Sequence, residues 1–525
     1  MTRTFPSGAV ASPHHLASAV GVQVLDEGGN AVDAAIATNL VLSVVTPYHC
    51  GVGGDLFALV WDGQVHAIDS AGRAPAGATP DAIRAAVVGH GDVWSLSGTS
   101  GMPAVGPLSV TVPGAVAGWA QLLERWGTRS FGDLATRAIC LARDGFVVSS
   151  KGAYLSGRAS PRAEAVPGFL EHFGGMRTAN QRFVQADLAA TLLTIAEDGP
   201  DAVYRGAISE RIVETLAAGG STMTTDDLHA HQVCDVDTLR RVHRGLEIVQ
   251  LPPPSQGVTA LTALGILDAF GDLPADGAAA THVRIEAMRI ALAERNRHLA
   301  DPSIMTLGAD DLLDADRIAA HAASIDVDRI TSPVPGRPAP GGTAYVCALD
   351  GDGRGISLMQ SNFLGFGSGV VVPGTGIALH NRGAHFSLDE HSPAAIGPGR
   401  RPMHTLIPAM ALRDGALKLL FGTMGGDGQA QTHVQLLAGL EGEGDWDLAD
   451  VLERPRWIVD TTDGSVSVES RMDASVVDGL RARGHVVQAI GPYDYAAGNA
   501  NLIEVLASGC AGASDPRTEG AVLGR

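Results

Sequence analysis

Several familiar signals are missing from this sequence. No N-terminal apolar stretch precedes a small-residue cleavage site in "MTRTFPSGAVASPHHLASAV", so no secretory signal is read. The most apolar run, "AVDAAIATNLVLSVV" at 31–45, carries Asp33 and Asn39 and falls short of the roughly 18 residues that span a bilayer. It reads as a buried helix. Five cysteines are scattered without a CxxC pair. This excludes a disulfide framework and a cysteine zinc site, and it suits reduced thiols in the cytoplasm. Cys347, in an apolar strand pattern, reads as a buried structural thiol. There is no phosphate-binding G-x-x-x-x-G-K-[ST] and no G-x-S-x-G. "GVGGDL" at 51–56 starts like a dinucleotide fingerprint but has Leu56 where the third glycine belongs. No internal repeat or low-complexity tract is found.

The 525 residues can bury a large core, as one large domain or several ordinary ones. Apolar residues make up 45% and charged residues 18%, the composition of a globular protein. A formal charge of −20 opposes binding to nucleic acid and to anionic membrane.

Local patterns place the first elements. Ser12-Pro13 reads as an N-cap followed by proline at the first helical position, with the helix running to about Glu27 and a stop at Gly28-Gly29. Asn30 caps the 31–45 helix. "GVGGDLFALVWDGQVHAIDS" reads as two strands joined at Asp62-Gly63. Helical patterns recur in 113–147, in "QADLAATLLTIAEDG" and in "THVRIEAMRIALAERNRHLADP". After residue 343, "TAYVCALD", "GISLMQSN", "GIALHN", "TLIPAMALRDGALKLLFGT" and "SVSVES" read as strands, interrupted by helices near 428–440 and 473–484. A helix-rich first part and a strand-rich second part predict one α+β unit, with helices sandwiching sheets. Two groups could offer metal ligands: His385, Asp389, Glu390 and His391, and Asp227, His229 and His231. Neither has a zinc spacing, and both read as solvated polar loops.

The stretch "PGRPAPGGTAYVCALDGDG", 335–353, ends a Pro/Gly run at Gly341-Gly342 and starts a strand with Thr343. Threonine often begins strands through β-propensity alone. A chemical reading is also open. An N-terminal threonine carries its own base, because an α-amine with a pKa of about 7.7–8.0 keeps an appreciable unprotonated fraction near neutral pH.

The rest of the chain resembles the γ-glutamyltranspeptidase family of N-terminal-nucleophile hydrolases. The resemblance is carried by "GGNAVDAAIATNLVLSVVTPYHCGVGGDLFALVWD", "VPGAVAGWAQLLERWG", "AICLARDGFVVS", "TTDDLHAHQV", "LPPPSQG", "EAMRIALAERNRHLADP" and "GASDPRTEGAV", in that order. It implies a four-layer αββα sandwich, made as one precursor and cut between Gly342 and Thr343. The products are a large chain, 1–342, and a small chain, 343–525, sharing one core, with further oligomerisation left open. Ser361 matches the hydroxyl that contacts the nucleophile's amine. Asn362 matches a nearby asparagine, one residue closer than usual. Gly425 and Gly426 in "GTMGGDG" match the oxyanion-binding pair; a plain strand-to-helix turn reads equally from the same residues.

Substrate positions depart from the pattern. His385 stands where the family's ammonium-binding Asp belongs. His404 and Thr405 replace paired serines. Arg73 approximates the carboxylate-binding Arg with shorter spacing, and Arg382 stands where transpeptidases have Gln. A pocket with arginines and without the acid suits a small acidic amide, of the kind taken by oxamate amidohydrolase-like members. γ-Glutamyl transfer or glutathione hydrolysis is the alternative within the family. An uncut, noncatalytic binding protein is the alternative outside it. No metal or organic cofactor is implied, and the expected partner is a small-molecule amide.

Overall fold

The computed structural model describes residues 1–90, 101–274, 277–332, 342–440 and 446–525. Two seven-stranded sheets form its centre. The first runs, in spatial order, Ala521–Gly524, Ala9–Ser12, Gly342–Leu349, Gly355–Phe363, Asp55–Trp61, Val65–Ser70 and Cys234–Val236. The second runs Arg3–Phe5, Gly509–Ser514, Asn499–Leu506, Ala416–Met424, Ala409–Arg413, Leu246–Gln250 and Leu239–His243.

Side-chain alternation explains why both faces of each sheet are covered. Along Gly342–Leu349, Tyr345, Cys347 and Leu349 pack between the sheets with Phe57, Met410, Leu420 and Ile503. Ala344, Val346 and Ala348 point the other way, to the helices His15–Asp26, Ala31–Val45 and Ala115–Trp126. Strands of this kind read as continuous apolar runs because neither face meets water. The outer face of the second sheet packs on Gly257–Phe270, Gly277–His298 and Gly428–Gly439. The layers are therefore helix, sheet, sheet, helix, as the αββα reading requires.

Helix Ala31–Val45 is buried at every residue. Its polar members are satisfied locally. Asn30 and Asp33 form a capping box, and Asp33 also accepts from Thr128 and Arg129 N–H groups. The preceding helix begins later than expected. It spans His15–Asp26, and His14 is the N-cap, its Nδ1 accepting from Leu16 N–H at 3.2 Å. Ser12 is unavailable as a cap because it is held in a strand paired with Ala521. The pair Asp55–Trp61 and Val65–Ser70, the helix Ala186–Asp198 and the helix Gly277–His298 lie where the sequence places them. "GIALHN" does not form a full strand: Ile377–Ala378 pairs with Val371–Val372, Leu379 makes a single bridge to Gly53, and Arg382–His385 turns into a 3-10 helix.

The two polar stretches are only partly solvated. Asp389, Glu390 and His391 are exposed, but His385 is buried. Thr225–His229 is a short helix with a Thr224–Asp227 capping box, and His231 stacks on Tyr204. All five cysteines are unpaired, with Cys50, Cys347 and Cys510 buried. Most of the 331–342 run lies outside the described residues. Its first two residues are held firmly: Glu286 accepts from Thr331 and Ser332 N–H groups at 2.8 and 2.9 Å. Among the described residues no helix is long and apolar enough to cross a membrane.

Candidate active site

Thr343 is the second residue of its strand and shares the parity of Tyr345, so it faces the space between the sheets. Gly342 pairs with Phe363 and Ala344 with Gln360. Ser361 and Asn362 therefore both lie opposite Thr343, a bulge in the neighbouring strand. Such bulges re-aim side chains beside active sites. Ser361 Oγ donates to the Gly342 carbonyl at 2.6 Å. Phe363 N–H donates to the same Oγ at 2.8 Å, which leaves the hydroxyl proton for Gly342. Phe363 reaches this position with φ at 74°, an unusual conformation for an aromatic residue. Thr343 is 1% exposed, and its Oγ1 accepts from Gln429 Nε2 at 3.4 Å. A Cβ on Gly342 would stand 3.0 Å from the Tyr48 carbonyl and 3.2 Å from His49 Nδ1, so glycine fits there with no room to spare.

The strand Ala416–Met424 ends in Gly425 and Gly426, with φ of 143° and 56°. Among the described residues neither of their N–H groups has an acceptor. The turn is braced from behind. Gln256 Nε2 donates to Gly426 O at 3.0 Å, Gln256 Oε1 accepts from Arg295 at 2.6 Å, and Arg295 pairs with Asp427. A cavity of about 630 Å³ opens onto Gly342 and Gly425.

Behind Ser361 lies a buried polar cluster. Asp55 pairs with Ser361 across the sheet. Its Oδ2 lies 2.8 Å from His404 Nε2, 3.4 Å from His380 Nδ1 and 3.8 Å from Arg382 Nε. Arg382 donates to Thr405 Oγ1 at 3.0 Å, reaches Ser361 Oγ at 3.5 Å and lies over the Phe363 ring at 4.1 Å. Burial alone would raise the Asp55 carboxyl. His380, His404 and Arg382 outweigh it and hold the group well below the usual carboxylate range. Burial, with Arg382 adding, lowers His404 to about 3. Burial brings Arg382 down to about 9 against the pull of Asp55, so it is still charged at neutral pH. Arg382 is the cation that balances Asp55.

The chain can now be set beside known proteins. The family model described as gamma-glutamyltranspeptidase matches residues 17–525. The chain belongs to the γ-glutamyltranspeptidase family. It is 36% identical to the oxamate amidohydrolase proenzyme of Klebsiella pneumoniae, with 98% of each chain covered. It is 35% identical to the glutathione hydrolase-like YwrD proenzyme of Bacillus subtilis, again over 98% of each. The crystal structure of cephalosporin acylase from Bacillus halodurans superposes with a TM-score of 0.90 at 32% identity, covering 100% of this chain and 97% of that one. Membership places the chain among self-processed enzymes that act on C–N bonds.

The positions expected from this γ-glutamyltranspeptidase resemblance divide in two. Gly342, Thr343, Ser361, Arg382, Thr405 and His404 form one connected set, with Gly425 on the adjoining cavity wall. His385 is next to it, its ring 4.2 Å from that of Phe363 and its Nδ1 donating to Met403 O at 2.7 Å. Asn362 turns toward Pro47 O at 3.5 Å. Arg73 stands apart: its side chain is 53% exposed and donates to Gly399 O at 2.9 Å. Asp55, His380 and Gln429 were not singled out in the sequence. Only Asp55 left a trace, as the acid that follows the glycines of "GVGGDL".

A second cluster lies elsewhere. His282, Glu286 and His485 bring three potential ligand atoms within 4.8 Å of one another. Glu286 is already engaged by Thr331 and Ser332, and Arg289 stands 3.7 Å from it, so a cation there would meet another cation. The cluster fixes the chain at Thr331 and Ser332.

Proposed function

We propose that Thr343 cuts the chain before itself and then hydrolyses a small acidic amide, oxamate-like, through an acyl-enzyme. The observation that carries this reading is the Gly342 carbonyl, held by Ser361 Oγ at 2.6 Å on the bond before a buried threonine. In the first step Thr343 Oγ1 attacks the Gly342 carbonyl carbon. The C–N bond breaks, the Thr343 nitrogen takes a proton, and Gly342 is left as an ester on Oγ1. Water opens the ester, releasing the Gly342 carboxylate and freeing both the hydroxyl and the α-amine. Ser361 is the donor to the oxyanion of this step.

In turnover the free α-amine accepts the Thr343 hydroxyl proton as Oγ1 attacks the substrate carbonyl. The Gly425 and Gly426 N–H groups, without an acceptor among the described residues, take the oxyanion; one such donor is worth about 2.7–4 kcal/mol. The leaving amine departs with the proton, and water hydrolyses the acyl group. Departure of Gly342 clears the space in front of Ser361. Arg382 stands directly behind it and, with Thr405, supplies a carboxylate site. His385 offers no negative charge for an α-ammonium, which favours an amide without one. The fragments 1–342 and 343–525 stay together because each of the two sheets contains strands of both.

Glutathione hydrolysis is the second reading, favoured by the near-equal identity to the glutathione hydrolase-like relative. A panel of oxamate, glutathione and γ-glutamyl anilide on the cut protein separates the two. The acidic-amide reading expects oxamate to be preferred, and His385→Asp to move preference toward the γ-glutamyl compounds. Preference for glutathione over every amine-free amide, with no gain from His385→Asp, would overturn it.

A further inference from the structure

The cavity on Gly342 and Gly425 extends well past the reacting bond. At about 630 Å³ it falls in the range that encloses drug-sized ligands. A two-carbon acidic amide, with its acyl half in the space left by Gly342, fills only a small part of it. The far wall is the end of helix Ser150–Ala159 and the turn that follows, which bring Arg158 and Arg162 to the rim. Leu155, Leu364, Ile458 and Ile490 supply apolar surface between rim and floor.

Both arginines are exposed, and neither has a carboxylate partner within ion-pair distance among the described residues. Arg158 donates to Tyr154 Oη at 3.2 Å. Asp494 is the acid whose charge reaches it, and the Asp494 oxygens already accept from Gly491 and Ala496 N–H groups. Arg162 has no hydrogen-bond partner of its own among the described residues. Several surface arginines of this acidic chain are neutralised by close acids, Arg143 by Asp144, Arg329 by Asp326 and Arg454 by Asp450, while others, such as Arg182 and Arg211, reach only backbone carbonyls. A net charge of −20 repels anionic substrates at long range. Two guanidinium groups without a close acid bring positive charge to one cavity rim, and of the acids that also line the cavity Asp427 is held by Arg295, which leaves Asp460.

We infer that Arg158 and Arg162 form an anion subsite for the amine half of the substrate, a subsite that rests on the acyl-enzyme reading above. The substrate class is then an acidic amide whose nitrogen carries an apolar arm ending in a carboxylate. The apolar wall covers the arm, and the rim arginines hold its end. Hydrolysis breaks the same C–N bond as before and releases an anionic amine.

Two probes differ only in that terminal charge: oxanilate, which releases aniline, and its 4-carboxylate, which releases 4-aminobenzoate. KM from amine release and Kd from calorimetry are measured on the cut protein. The expected result is a KM and Kd about fivefold lower for the carboxylated probe, the scale of exposed charge pairs. The advantage shrinks at about 0.5 M salt. It falls to about one in the Arg158→Ala/Arg162→Ala double variant, and Arg162→Glu reverses it. Equal Kd values in the wild type, or a preference that survives in the double variant, would overturn the subsite. If neither probe is turned over but the Kd preference is present and arginine-dependent, the acyl-half reading fails and the subsite stands.

Discussion

Ser361 links the buried cluster to the Gly342–Thr343 bond. It accepts from the Phe363 N–H, donates its hydroxyl to Gly342 O and has Arg382 behind it. Ser361→Ala removes the donor and leaves the rest of the bulge in place. Self-cleavage is expected to slow by about 10²–10³, the cost of losing one oxyanion donor. A time course of two-band formation on denaturing gels reads this directly, and an unchanged rate would remove Ser361 from the mechanism. Thr343, Ser361, Arg382 and Thr405 were legible because each falls in a recognisable local motif. Asp55 was not, since its partners His404 and Arg382 are more than 300 residues away and only the fold assembles them. Gln429 gave no signal either, because a neutral amide after a glycine turn has no distinctive spacing.

Among the elements, the Gly425-Gly426 turn and the bulge opposite Thr343 serve different steps in this account. Gly425 adopts φ of 143°, a conformation that costs other residues about 1–3 kcal/mol. Gly425→Ala should therefore re-aim its N–H. We expect kcat on the preferred amide to fall by about 10²–10³, while self-cleavage changes far less, because Ser361 and not Gly425 holds the Gly342 carbonyl. Equal losses in both reactions would mean that one oxyanion site serves both. Long helices and the central strands could be read from period and caps, as at Asn30 and around Asp62-Gly63. The sheet edges could not. Arg3–Phe5, Cys234–Val236 and Ala521–Gly524 are three or four residues long, too short to show alternation, and Arg3–Phe5 and Ala521–Gly524 pair with strands some 500 residues distant.

For the whole molecule, buried histidines set an acid limit. Burial holds His14, His49, His404 and His433 at about 3, His14 with help from His15 and His404 with help from Arg382. In the unfolded chain each titrates near 6.5. Between those values the unfolded state binds protons that the folded state refuses, so stability rises with pH. At pH 5 each residue costs about 2 kcal/mol relative to neutral pH, and together they approach the total stability of an ordinary domain, about 5–15 kcal/mol. The denaturation midpoint is expected to fall steadily from pH 7 to pH 5; a flat profile over that window would show that these imidazoles titrate normally. The four layers followed from the chain-wide resemblance and from the fully apolar strand after Thr343. The separate position of Arg73 did not, because loop spacing does not reveal where an arginine's head will rest.

Every later step of the proposed reaction depends on Thr343 cutting the chain at Gly342–Thr343. The most direct measurement is a denaturing gel of the purified protein with N-terminal sequencing of the smaller band, run beside Thr343→Ala. Two bands are expected for the wild type, the smaller beginning Thr343-Ala344-Tyr345, and a single folded chain of 54.0 kDa for the variant. A wild type that stays at 54.0 kDa, or a Thr343→Ala protein cut at the same bond, would contradict it.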